Sequence, residues 1–120
     1  MAQTIMLVDD SAMARETTAD ILRREGFEVQ AFETGETGLE WLARNPEVHL
    51  IILDIGLPGM DGFAVAEAIR RNSMCCKVPV MFLSGSETRE MVLRAANLGI
   101  KDFLLKSRFS VLVQFEIVKI

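Results

Sequence analysis

The sequence predicts an α/β protein: a doubly wound, five-stranded parallel sheet with helices on both faces. Two observations lead there. Five short apolar runs alternate with longer stretches whose apolar residues recur at helical spacing, and regular alternation of this kind builds parallel strands joined by right-handed crossovers. The third and fourth runs are almost continuously aliphatic, as central strands covered on both faces should be. With 120 residues, half of them hydrophobic, the chain has the length of one domain and enough apolar surface for one core.

The first strand is expected at Thr4 to Val8. Ala12 to Glu25 follows as a helix, with Ile21 and Leu22 on one face and Gly26 as terminator. A second strand, Glu28 to Phe32, leads to a helix over Gly35 to Asn45 that carries Leu39, Trp41 and Leu42 and stops at Pro46. The third strand covers Val48 to Leu53. After an Asp-Gly turn at Asp61, the stretch Gly62 to Asn72 sets Val65, Ala68 and Ile69 at helical spacing. The fourth strand, Val78 to Leu83, precedes a helix over Glu87 to Leu98, with Ser86 as candidate cap and Gly99 at its end. The fifth strand is Asp102 to Leu105. Ser110 to Ile120 is the last helical stretch, although its apolar residues surround the axis, and its β-branched content leaves an edge strand open.

The net charge is −4, from 13 basic and 17 acidic side chains, and no basic cluster stands out. Nucleic-acid backbones are gripped by concentrated positive charge, so no direct nucleic-acid contact is expected of this domain. Ile5 to Val8 is cut off by Asp9 and Asp10, too soon for a signal peptide, and Leu50 to Leu53 and Val80 to Leu83 are too short to span a bilayer. A soluble, cytoplasmic protein without membrane association is expected. Cys75 and Cys76 are neighbours that cannot staple distant segments, and no further ligands stand at metal spacing around them. They read as packing or loop residues. His49, the single histidine, reads as a packed or hydrogen-bonded side chain.

In an open parallel sheet, binding occurs beyond the carboxyl ends of the strands, where strand order reverses. Four of the five expected strands finish there in polar residues: Asp9 and Asp10 after the first, Asp54 after the third, Ser84 after the fourth and Lys106 after the fifth. Singly, each has a plain explanation as a helix cap, a turn former or a solvated charge. Together at one sheet edge they point to chemistry. Three crowded carboxylates repel one another and need a partner, or their pKa values rise. An all-oxygen site suits Mg²⁺, which keeps waters and shares carboxylates with phosphate oxygens. A hydroxyl and an ammonium complete a phosphoryl cradle in which Asp54 can serve as nucleophile.

Asp9-Asp10, the run Asp54-Ile55-Gly56-Leu57-Pro58-Gly59-Met60-Asp61-Gly62, the Ser84-Gly85 pair and Lys106 resemble the signature of receiver domains of two-component response regulators. The resemblance covers Thr4 to about Lys106. It implies a flavodoxin-like sheet of strand order 2-1-3-4-5 and a switch rather than a turnover enzyme. Asp54 would accept a phosphoryl group from a phosphohistidine on a sensor histidine kinase or phosphotransfer protein. Asp10, Asp54 and the backbone carbonyl of Gly56 would hold Mg²⁺, with Asp9 acting through a bound water. Lys106 would pair with Asp54 and then with the phosphoryl oxygens. Ser84, where Thr is commoner, would move to hydrogen-bond the phosphoryl group, and Phe103 would turn inward in response. An ordinary core or edge-strand Phe is the other reading of Phe103. Gly56 and Ser86 would flank the path of hydrolytic water, and neither carries an acid or amide to orient it. No unusually fast loss of the phosphoryl group is therefore expected.

Two features depart from the family pattern. Ser107 follows Lys106 where Pro and a cis bond are usual; a cis bond before a non-proline residue costs about 2.5–4 kcal/mol, so a trans bond and a looser loop are expected. The apolar segment Ser110 to Ile120 lacks a Gly, Pro or polar tail. It is expected to meet a second copy of the domain as a homodimer, or to continue into a C-terminal effector, making residues 1–120 the N-terminal part of a longer chain. An aspartate-nucleophile phosphatase resembling the haloacid dehalogenase superfamily would need a second Asp where Gly56 stands. A flavin carrier would need a hydroxyl-rich phosphate loop where Asp9 and Asp10 repel phosphate. A receiver-like interaction module not regulated by phosphorylation is the remaining alternative.

Overall fold

The computed structural model describes residues 3–86, 88–100 and 102–106. Strands and helices alternate as β1 (Thr4–Val8), α1 (Ala12–Arg24), β2 (Glu28–Phe32), α2 (Gly35–Arg44), β3 (Leu50–Asp54), α3 (Gly62–Arg71), β4 (Val80–Ser84), α4 (Arg89–Asn97) and β5 (Asp102–Leu105). The five strands form one parallel sheet in the order β2-β1-β3-β4-β5. Every residue of β3 and β4 is buried, as expected of their apolar runs, and the burial extends to the polar residues Asp54 and Ser84 at their ends.

Successive side chains of a strand point to opposite faces, so the sheet divides the apolar interior into two layers. Ile5, Leu7, Ile52 and Met81 pack with Ala19 and Leu22 of α1. Met6, Val8, Leu53 and Phe82 pack on the other side with Leu42 of α2, Ile69 of α3 and Ala95 of α4. Gly38 lets α2 lie close on β1, because a Cβ there would stand 3.0 Å from Val8 Cγ2.

Each described helix opens on a side-chain cap. The oxygens of Ser11, Thr34, Asp61 and Thr88 accept the amides of Ala14, Thr37, Ala64 and Met91. Asp61 thus caps α3 in addition to preceding Gly62. The expected start of the fourth helix at Glu87 moves to Arg89: Thr88 is extended, with φ −119° and ψ 155°, as a cap must be. Ser86 lies in the preceding bend and donates its N–H to Ser84 Oγ at 3.2 Å. β3 and β4 begin at Leu50 and Val80 instead of Val48 and Val78. Val48 is buried without joining the ladder. Pro79 has no N–H to give a ladder, and the Val78 N–H closes a turn onto the Cys75 carbonyl at 3.1 Å.

At the amino-terminal edge of the sheet, His49 Nδ1 accepts the Thr4 N–H at 3.0 Å, so the lone histidine is hydrogen-bonded. Arg70 donates to the carbonyls of Cys76 (2.9 Å), Val78 (2.8 Å) and Leu98 (3.3 Å), tying the loop before β4 to the end of α4. Both cysteines are free. Cys75 packs in the core, where burial pushes its thiol pKa up, and Cys76 is half-buried. Among the described residues no helix is long and apolar enough to cross a membrane. Ser110 to Ile120 and the Lys106–Ser107 bond lie outside the described residues.

Candidate functional site

The strand order reverses between β1 and β3, and there Val8 pairs with Leu53, which sets Asp9 and Asp54 side by side. Asp9 is wholly buried, Asp54 is 5% exposed and Asp10 is open to solvent. One carboxylate oxygen from each of the three lies within 4.8 Å of the others. Lys106, immediately after β5, reaches them. Its Nζ is 3.0 Å from Asp9 Oδ2 and 3.3 Å from Asp54 Oδ2, and it donates a hydrogen bond to Asp9 Oδ1 at 3.2 Å.

Backbone contacts hold this geometry. Asp9 donates its N–H to the Phe32 carbonyl at 3.0 Å, its Oδ1 accepts the Ser11 N–H at 3.0 Å, and its carbonyl accepts Arg15 Nη1 at 2.8 Å. Asp54 Oδ1 accepts the Gly56 N–H at 3.2 Å. The turn after β3 then passes so close to α3 that a Cβ at Gly62 would stand 2.5 Å from the Asp54 carbonyl oxygen and 2.8 Å from Ile55 Cα. Both neighbours are backbone atoms that cannot swing away, so position 62 demands glycine by contact.

Burial, and then the charge of Asp9, push the Asp54 carboxyl above its ordinary pKa; Lys106 and the Gly56 N–H pull the other way and do not win. Burial presses Lys106 downward, but its hydrogen bond to Asp9 and the charges of Asp54 and Asp9 outweigh it, and the ammonium is held. Asp9 Oδ2 has this ammonium as an ion-pair neighbour but receives no properly directed hydrogen bond, leaving lone pairs of a buried oxygen unused. One ammonium among three carboxylates leaves the crevice short of positive charge. The set is all oxygen and is open at Asp10, and it fits a hard divalent cation such as Mg²⁺.

Ser84 is buried at the end of β4, beside β3, and its Oγ accepts the Ser86 N–H. Among the described residues no hydrogen bond joins it to Asp54. Phe103 in β5 is half-buried and meets Phe82 edge-on at 6.3 Å; Phe82 meets Phe63 at 5.0 Å, and the Arg94 guanidinium lies 4.1 Å over the Phe63 ring. Lys106, expected beside Asp54, divides itself between Asp54 and Asp9, because the fully buried Asp9 also needs a counter-charge. Sequence reading missed Arg15, which left no periodic or motif signal. It placed Gly62 at the end of the Asp54 to Gly62 run and at the start of a helix, without the backbone contact that demands glycine there.

Fold and crevice together define a small doubly wound α/β domain with an acid–lysine site at its topological switch point. The profile of the response regulator receiver domain matches residues 5–114, and the chain belongs to that family. Two-component response regulator ORR11 of Oryza sativa is 34% identical over 102 residues, covering 85% of this chain and 69% of the rice protein. The receiver domain of a signal transduction histidine kinase from Syntrophus aciditrophicus superposes with a TM-score of 0.85 at 28% identity, covering 98% of this chain and 88% of that one. Chemotaxis protein CheY4 of Vibrio cholerae shares the fold, with a TM-score of 0.87 at 24% identity over 98% of this chain and 99% of its own.

Proposed function

We propose that this receiver domain is a phosphorylation-activated switch of the cytoplasm in which Asp54 takes a phosphoryl group from the phosphohistidine of a sensor histidine kinase or phosphotransfer protein. One observation carries the reading: Lys106 lies between Asp9 and Asp54 in a cluster of three carboxylates that remains short of positive charge. Asp10, Asp54 and the Gly56 carbonyl would hold Mg²⁺, with Asp9 behind a water. Bound Mg²⁺ would supply the missing positive charge and offset the negative charge of the phosphoryl oxygens.

An Asp54 carboxylate oxygen bonds to phosphorus as the bond from phosphorus to the donor imidazole nitrogen breaks, and the electron pair stays on that nitrogen. The product is an acyl phosphate on Asp54. Lys106 then transfers its ion pair to a phosphoryl oxygen, the Ser84 hydroxyl turns to donate to another, and Phe103 moves inward against Phe82. A dianion added at a buried site is the input, and the β4–α4–β5 region is the element it biases. The apolar run at residues 110–120 serves in this reading as the contact with a second copy or an attached effector. Each chain carries one phosphoryl group and turns over no substrate, so the domain is not an enzyme.

Intact-mass measurement after treatment with acetyl phosphate and Mg²⁺ tests the reading. One phosphoryl adduct is expected on the wild type, with none on Asp54→Asn and none in EDTA. An adduct that persists in the variant or forms equally in EDTA would refute it. A wild type that takes up no phosphate leaves the non-phosphorylated interaction module as the function.

A further inference from the structure

We infer that Arg15 is a positioning residue for the cation site: through the carbonyl of Asp9 it fixes the direction in which Asp10 presents its carboxylate. The inference rests on the reading of the acidic crevice as a Mg²⁺ site. Arg15 stands in the first turn of α1, where its own N–H bonds the Ser11 carbonyl at 2.8 Å, and its half-buried side chain turns back to the Asp9 carbonyl, also at 2.8 Å. That carbonyl belongs to the peptide plane joining Asp9 to Asp10. Because the peptide is planar and rigid, holding its oxygen sets the orientation of the bond leading into Asp10.

The two acids differ in what secures them. Asp9 is held by Phe32, Ser11 and Lys106 besides Arg15. Asp10 is exposed and has no side-chain hydrogen bond or ion pair among the described residues, so its aim depends on the backbone that carries it. Arg15 touches neither carboxylate. Its contact is with the peptide between them, the place from which one donor can keep the two groups convergent.

Charge alone makes the opposite prediction. A guanidinium beside a cation site repels the cation, so by charge alone its removal would tighten Mg²⁺ binding. Loss of an outer partner that orients a ligand instead weakens metal binding by about 10–100-fold. The sign of the effect decides between positioning and bulk electrostatics.

The test is isothermal titration calorimetry of Mg²⁺ into the full chain, with urea unfolding in EDTA to measure stability separately. Arg15→Met, which keeps the packing stem and removes the donors, is expected to bind Mg²⁺ about tenfold more weakly than wild type, at the low end of the range for such outer partners. Arg15→Lys, which keeps a donor, is expected to recover much of that affinity. If Arg15→Met does not fold, Arg15→Leu, which also lacks any donor, takes its place with the same expectation. Affinity equal to or tighter than wild type in the neutral variant, or no recovery by Lys, overturns the inference and leaves the crevice reading standing. A wild type with no affinity for Mg²⁺ overturns both.

Discussion

Replacing Asp54 by Asn should stabilise the fold at neutral pH when divalent cations are absent. At an effective dielectric of about 20, the attraction between Asp54 and Lys106 at 3.3 Å is about 5 kcal/mol, and repulsion from Asp9 at 4.8 Å or less is about 3.5 kcal/mol or more. These largely cancel. Desolvation of the Asp54 side chain, of which 8% stays exposed, costs several kcal/mol more, which tips the balance against the charged form. Asn keeps an acceptor for the Gly56 N–H and gives up the charge. The surviving difference should be about 1–2 kcal/mol in favour of Asn, or about 3–6 °C in Tm for a domain of this size. The folded pKa of Asp54 is raised above its ordinary 3.8, so its contribution to stability is complete below that value and is lost as pH rises through the folded one. The advantage of Asn must therefore be absent in acid and grow to a plateau on the alkaline side. Urea midpoints in EDTA from pH 3.5 to about pH 8 would show it, and saturating Mg²⁺ should then stabilise the wild type more than the variant. A variant less stable than wild type at pH 7.5 in EDTA, or an advantage independent of pH, would refute the reasoning.

Lys106→Met should destabilise the fold in EDTA by about 1–3 kcal/mol, because two buried carboxylates lose their counter-charge, an effect held to this size by solvent screening of the partly exposed ammonium. Since the folded pKa of Lys106 is raised, its contribution is complete below 10.5 and disappears only as pH climbs through the higher folded value, so urea midpoints should differ by a constant amount from pH 6 to about pH 9. Gly62→Ala should cost about 1–3 kcal/mol by forcing backbone apart, whereas Gly56→Ala, whose Cβ would meet only Asp54 Oδ1 at 4.0 Å, should cost far less; equal thermal shifts would contradict the packing. The lifetime of the phosphoryl group, followed by intact mass, should change more in Gly56→Asn than in Glu47→Gln, which is remote from the crevice.

The fold was legible because its signals are redundant. Alternation of apolar runs and helical stretches, glycine at the ends of α1 and α4, and aliphatic continuity in β3 and β4 all point to the same architecture. Polar residues at the strand ends located the crevice, since the ends of parallel strands share one edge. What stayed hidden depends on neighbours distant in the chain. Nothing local to Lys106 says that it serves Asp9 as well as Asp54; that follows from the complete burial of Asp9. Thr88 outcompetes Ser86 as a cap through backbone conformation, which side-chain identity does not reveal. Gly62 looks like any turn glycine until the Asp54 carbonyl is seen against it.

The two layers separated by the sheet give the molecule a form of mutational insulation. Leu22 beneath α1 and Ile69 beneath α3 belong to different apolar clusters, so cavities cut at the two positions have no common lining and their costs should add. The contact row from Phe103 through Phe82 to Phe63 lies wholly on the side of α2, α3 and α4. Substitutions under α1 can therefore move the melting temperature up or down while that row keeps its packing. Thermal adaptation and the setting of the aromatic row occupy opposite faces of one sheet, and a lineage can drift in the first without retuning the second.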